Sequence, residues 1–182
     1  LNNIHLTTQL MGKGQIENQL DKLDYRILEF LMNDARTPYL EIARECNVSG
    51  ATVHLRIQKL ERLGIINGSR LIADYRKLGL GISAYLGIHM EKADQYDEMF
   101  SKLRAIPEVV ECYLTTVNYG IFLKVFCSDT THLRELLLDK VQKIPNVNRT
   151  ETFISLQQVF DREPDLNSVL DLNLTGEPAK QD

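Results

Sequence analysis

SGATVHLRIQKLERLGI, residues 49–65, opens on four small or hydroxyl residues and then spaces Val53, Ile57 and Leu60 along one helical face. Ser49 is a good N-cap and Gly64 a natural stop, so the pattern predicts a helix over 49–63. His54, Arg56, Gln58, Lys59 and Arg62 fall off the apolar stripe. That basic face is either an ordinary solvated surface or one shaped to meet phosphates and base edges.

The flanking sequence supplies the context. Upstream, Asp21 precedes LDYRILEFLMND, where Leu20, Leu23, Ile27 and Leu31 share a helical stripe. Asp21 is the expected cap, with Asp24 favouring the same dipole end. Thr37-Pro38 is expected to start a second helix, YLEIARECN, with Thr37 as cap and Pro38 in the first turn. Three helices in about 45 residues, the last two joined tightly, predict a helix-turn-helix unit. After Gly64, IINGSRLIAD is rich in β-formers and is expected as a strand or wing, then a hinge to Gly81.

Beyond residue 81 the period changes to two. ISAYLGIHM alternates as a half-buried strand, DQYDEMFSKLRAIP reads as a helix stopped at Pro107, and EVVECYLTT and IFLKVFC as two strands. DTTHLRELLLDKVQKIP reads as a helix capped by Asp129 or Thr130, and NRTETFISLQQVF as a closing strand. The fold class is therefore α+β: an N-terminal winged helix-turn-helix domain followed by a ferredoxin-like βαββαβ domain. Its boundaries are expected at 1–19 for a flexible N-terminus, 20–66 for the helix-turn-helix domain, 67–80 for a wing and hinge, 81–161 for the ferredoxin-like domain, and 162–182 for a polar tail. Ile82, Leu86 and Ile88, with Leu123 and Val125, offer more apolar strand surface than two helices are expected to cover. A homodimer through that surface follows.

Charge sharpens the reading. The chain carries a net −4, yet residues 1–80 hold 11 bases against 9 acids while residues 81–182 hold 10 against 16. Between 49 and 77 there are six bases and two acids. A local basic patch on an acidic chain suits salt-sensitive DNA binding. The candidate DNA-binding set is Thr37, Tyr39, Ser49, Gly50, Ala51, Thr52, His54, Leu55, Arg56, Lys59 and Arg70, with Arg56 and Lys59 as the main cationic contacts.

Other chemistry is sparse. The four histidines sit in different elements, none at zinc spacing, and no phosphate loop or nucleophile elbow is present, so neither catalytic residues nor a cofactor or metal is expected. Three scattered cysteines suit a reducing cytoplasm, and no apolar run is long enough for a membrane span. LNNIHLTTQLMGKGQ lacks the basic and apolar regions of a signal peptide.

LDxxDxxIL at 20–28, EIAxxxNVS at 41–49 and RIxKLExxGII at 56–66 resemble the N-terminal domain of the leucine-responsive regulatory protein/AsnC family. IPEVVECYLTT, FLKVF and IPNVNRTETF resemble its regulatory domain in order, so the likeness runs from about 20 to 160. The resemblance implies a transcription regulator that binds double-stranded operator DNA, dimerises, often assembles into octamers, and senses an amino acid or related metabolite. Two-fold symmetry would make the operator palindromic.

The resemblance also implies an effector site in the loop between the central strands. The family reads Gly-Asp-Tyr-Asp there, and this chain reads Val117-Asn118-Tyr119-Gly120. Val117 adds a branched side chain where the family has glycine, and Gly120 removes the second acidic group. Asn118, Tyr119 and Gly120 are the candidate effector residues, joined by Thr150 and Thr152, whose hydroxyls share one face of the closing strand. The pocket is expected to keep donors for a carboxylate and to lose one partner for an ammonium group. Sirohaem decarboxylases resemble the same two-domain plan and supply the enzyme alternative. Such an enzyme would gather His and Arg around its substrate, and the second half offers only His89 and His132, in separate elements.

Overall fold

The computed structural model describes residues 20–91, 96–116, 119–166 and 168. The chain forms two compact units: the described residues up to Leu71 together with those from Arg162 on, and Ile72–Asp161.

The first unit holds three helices, α1 (Lys22–Asn33), α2 (Tyr39–Glu45) and α3 (Gly50–Arg62). Asp21 caps α1 in a reciprocal box: its side chain accepts the Asp24 amide, and the Asp24 carboxylate accepts the Asp21 amide, both at 3.0 Å. Ser49 caps α3 through the Thr52 amide, as its sequence position predicts. Thr37 does not cap α2; Pro38 holds that position, and the Thr37 hydroxyl instead donates to the Asp34 carbonyl. The turn between α2 and α3 is closed by Asn47 at φ 54°, with Val48 N–H donating to the Ala43 carbonyl. Gly64 ends α3 in the same manner at φ 68°, Ile65 N–H reaching the Leu60 carbonyl. Ile27, Ile42, Ala43, Val53 and Ile57 form the core, so α1 packs across the other two helices.

The strand expected over 65–74 does not form. Those residues run without a ladder partner, and Leu71 and Ile72 are exposed. β-Rich composition favours a strand only where a neighbouring strand satisfies its backbone.

The second unit is a four-stranded antiparallel sheet in the order β2-β3-β1-β4, built from β1 (Ile82–Met90), β2 (Val109–Leu114), β3 (Ile121–Cys127) and β4 (Val147–Ile154). Helix α4 (Tyr96–Arg104) and helix α5 (Thr130–Glu135) connect the strands in βαββαβ order. Asp129 caps α5. The helix does not run on as α: Leu136–Val141 is a single π-helical stretch. Leu136 and Val141, five residues apart, are both fully buried, a spacing the α period cannot place on one face.

The faces of the sheet reverse one expectation. Leu86, Ile88, Leu123 and Val125 are fully buried in the same core as Met99, Leu103, Leu133 and Leu136, and Ile82 packs against it. The surface assigned to dimerisation is therefore the helix-covered core. The open face carries the alternate residues: Tyr85 stacks on Phe122 at 5.8 Å, Phe122 meets Phe153 at 6.5 Å, and Lys124 pairs with Glu111 at 3.2 Å. Tyr75 covers Phe126 at 4.9 Å.

Glu108, just before β2, accepts His132 Nε2 at 2.9 Å and pairs with Lys140. Burial would raise its carboxyl, but the Lys140 ammonium and His132 outweigh it and hold the pKa at about 2, against 4.5 ordinarily. A depressed carboxylate stabilises the fold above its unfolded pKa and loses that contribution as pH falls through the folded value. We expect the second unit to lose on the order of 2 kcal/mol between about pH 4.5 and pH 2 through this group. Urea melts of Glu108→Gln should be weaker than wild type at neutral pH and converge with it at acid pH; parallel curves would refute the assignment.

Candidate functional site

Helix α3 presents one exposed stripe. Ala51, His54, Leu55, Gln58 and Arg62 are exposed, while Val53, Ile57 and Leu60 are buried on the opposite side. Ser49 stands exposed at the helix start, with Gly50 and Thr52 half-buried beside it. Tyr39, from the first turn of α2, sets its ring 6.2 Å from the His54 ring, and His54 Nε2 lies 3.1 Å from Gln58 Nε2. The stripe thus mixes hydrogen-bonding groups with an apolar side chain, Leu55, of the kind that meets a thymine methyl. Thr37 is half-buried ahead of α2, and Arg70 is exposed beyond α3.

Arg56 and Lys59 are not free cations on that stripe. Arg56 Nη1 donates to Asp21 Oδ2 at 2.6 Å and to Asp24 Oδ1 at 3.1 Å, and Lys59 Nζ donates to Asp24 Oδ2 at 2.6 Å. Asp24 is fully buried. A buried carboxylate needs paired cations, and these two side chains supply them. Burial raises the Asp21 carboxyl, but the Asp24 amide and the Arg56 guanidinium outweigh that effect and hold it below the usual range. Gln58 and Arg62 take the exposed positions instead. The helical period marks them, since both share a face with Ala51 and Leu55.

The proposed effector residues are divided between the two sides of the sheet. Asn118 and Val117 lie outside the described residues. Tyr119 lies on the open face: a Cβ at Gly87 would stand 2.5 Å from its ring, so glycine is what lets the tyrosine lie flat there. Its hydroxyl donates to Glu151 at 2.7 Å, and its ring meets His89 edge-on at 4.9 Å. Arg149 also pairs with Glu151. Gly120 N–H donates to the Ile88 carbonyl, and a Cβ at Gly120 would come 3.2 Å from Met90 Sδ and 3.8 Å from the Tyr96 hydroxyl.

Thr150 and Thr152 do share a face, but it is the helix side. They register with Ile88 and Leu86, both core residues, and the Thr150 hydroxyl accepts Gln142 Nε2 at 3.1 Å. One strand therefore separates these hydroxyls from the Tyr119 ring by its pleat. Within a single chain they lie on the opposite side of the sheet from Tyr119; Gln142 neighbours Thr150, and Met90 and Tyr96 neighbour Gly120. His89 and His132 likewise stay apart, the first beside Glu151 and the second on Glu108. No group of three or more metal-ligating side chains occurs among the described residues.

Residues 20–61 match the AsnC-type helix-turn-helix domain, and residues 83–165 match the Lrp/AsnC ligand binding domain. The chain is 42% identical over 146 residues to the regulatory protein AsnC of Haemophilus influenzae, covering 80% of this chain and 97% of that one. It is 35% identical over 138 residues to the HTH-type transcriptional regulator FL11 of Pyrococcus horikoshii, covering 76% and 90%. The solved structure of E. coli AsnC superposes with a TM-score of 0.76 at 39% identity, over 80% of this chain and 97% of that one. A Neisseria meningitidis transcriptional regulator solved with L-methionine shares the fold at a TM-score of 0.78 and 24% identity, over 82% and 99%. The chain belongs to the Lrp/AsnC family of helix-turn-helix regulators.

Proposed function

We propose that the protein is a cytoplasmic, sequence-specific regulator of transcription and not an enzyme, with residues 20–66 reading double-stranded DNA and residues 81–161 sensing and dimerising. The exposed stripe of the capped helix α3 carries this reading. Ser49, Ala51, His54, Leu55 and Gln58 offer donors, acceptors and a methyl surface to base edges, while Gly50 and Thr52 let the helix start sit close to the groove. Arg62 on the stripe, with Thr37, Tyr39 and Arg70, supplies the backbone contacts in this reading.

The open aromatic face of the sheet is the dimer surface in this reading, replacing the residues first assigned to it. A two-fold dimer presents two reading helices, which suits a palindromic operator with half-sites about 34 Å apart or a multiple of that. Further assembly of dimers into octamers follows the family's habit. The effector is an amino acid or a related metabolite, supported by the match to a ligand binding domain over residues 83–165. Gly120 removes a negative charge from the loop, so ligands without a free α-amine are favoured over common amino acids. A calorimetric panel of the twenty amino acids tests this; low-micromolar binding through the ammonium group would refute it.

Selection of bound sequences from a random duplex library tests DNA reading. Alanine at His54, Leu55 and Gln58 together should cost more than tenfold in affinity for the selected site, at about 1–3 kcal/mol per base contact, with little change in salt dependence. Unaltered affinity and an unaltered selected sequence would overturn the assignment.

A further inference from the structure

The buried carboxylate of Asp24 ties together parts of the first unit that are distant in sequence. It accepts the Asp21 amide at the start of α1, Arg56 Nη1 from the middle of α3, and Lys59 Nζ one turn further on. Arg56 and Lys59 are three residues apart, so the two ion pairs grip successive turns on one flank of the helix. That flank lies about 100° around the axis from the stripe of Ala51, Leu55, Gln58 and Arg62. Neither rotation of α3 nor sliding along α1 is possible without breaking a pair to a fully buried charge, and a buried ion left alone is strongly unfavourable.

Two consequences follow for a helix that meets DNA. Two of the six cations between 49 and 77 are held back from phosphates, which lowers sequence-independent attraction. In exchange, the azimuth of the reading stripe is set by a point charge in the core. We propose that Asp24 is a positioning residue for DNA reading: it withdraws Arg56 and Lys59 from the phosphate backbone and uses them to fix the rotation of α3. This inference rests on the DNA-binding role assigned to α3 above.

Full-length protein and a fluorescent mixed-sequence duplex of about 40 base pairs provide the test, with affinity measured against salt. Asp21→Asn plus Asp24→Asn keeps both capping side chains near their original shape while releasing the two cations. The variant should bind the mixed duplex roughly three- to tenfold more tightly at low salt, and its log–log salt slope should steepen by about 1 to 2. Its preference for a selected site over the mixed duplex should fall at least tenfold. A slope equal to that of wild type would overturn the proposal.

The neutral triple variant Asp24→Asn, Arg56→Gln, Lys59→Gln covers the case where released charge prevents folding. Its slope should equal that of wild type; a slope shallower by nearly 2 would show that Arg56 and Lys59 already touch phosphates and would equally overturn it. Wild-type protein that bound neither duplex would instead refute the DNA-binding role itself, a different outcome from either.

Discussion

Phe122→Glu should convert the protein to a monomer and reduce affinity for a palindromic operator by at least about 100-fold. Phe122 is the hub of the open sheet face, in ring contact with Tyr85, Tyr119 and Phe153. A second copy seated there would strip water from a carboxylate at the centre of an aromatic cluster, at a cost of several kcal/mol. The helix-side core is untouched because Phe122 projects away from Leu123 and its neighbours. Once dimers dissociate, each reading helix binds its half-site alone, and the avidity of two linked sites, commonly 100-fold or more, is lost. Light scattering and operator titration check this; a dimer persisting at micromolar concentration would show that another surface holds the copies together.

Ile27→Ala should abolish DNA binding at 37 °C while leaving the proposed dimer intact. Ile27 has no exposed surface and packs with Ile42, Val53 and Ile57. Truncating such a side chain costs about 2–5 kcal/mol through lost transfer energy and the cavity left behind. A unit of about 50 residues buries too little surface to hold more than a few kcal/mol in reserve. The circular dichroism signal of the three helices should therefore be lost at temperatures where light scattering still reports a dimer. A melting curve displaced by only a degree or two would mean the core tolerates the cavity, and the estimate of its reserve would be wrong.

Most local capping signals in the sequence were read correctly, the Thr37 cap of α2 excepted. Asp21, Ser49 and Asp129 cap the helices assigned to them, and Gly64 ends α3, because a cap needs only the two or three residues that follow or precede it. The order of strands and helices along the chain follows from the alternation of period two and period 3.6. What the sequence did not show depended on residues far apart. Asp24 lies 32 and 35 positions from Arg56 and Lys59, so a basic helix face read alone looked available for phosphates. Thr150 and Thr152 were placed on one face, correctly, but which face is set by register with Ile88 and Leu86. The π stretch at Leu136–Val141 shifts the buried face by one residue, and an α-helical wheel places Leu137 where Leu136 belongs. Which side of the sheet the helices cover is likewise set by long-range packing, so Ile82, Leu86, Ile88, Leu123 and Val125 were assigned to a partner copy when α4 and α5 already cover them.

The contact between Gly87 and Tyr119 binds two distant codons into one heritable trait. A ring resting where a Cβ would stand 2.5 Å away leaves no intermediate: alanine at 87 first expels the tyrosine, and only a smaller residue at 119 then makes the alanine neutral. Descendants of this chain should therefore show glycine at 87 wherever 119 is aromatic, and gain side chains at 87 only on lineages that have already shed the ring. Drift at 119 is gated by a strand more than thirty residues upstream.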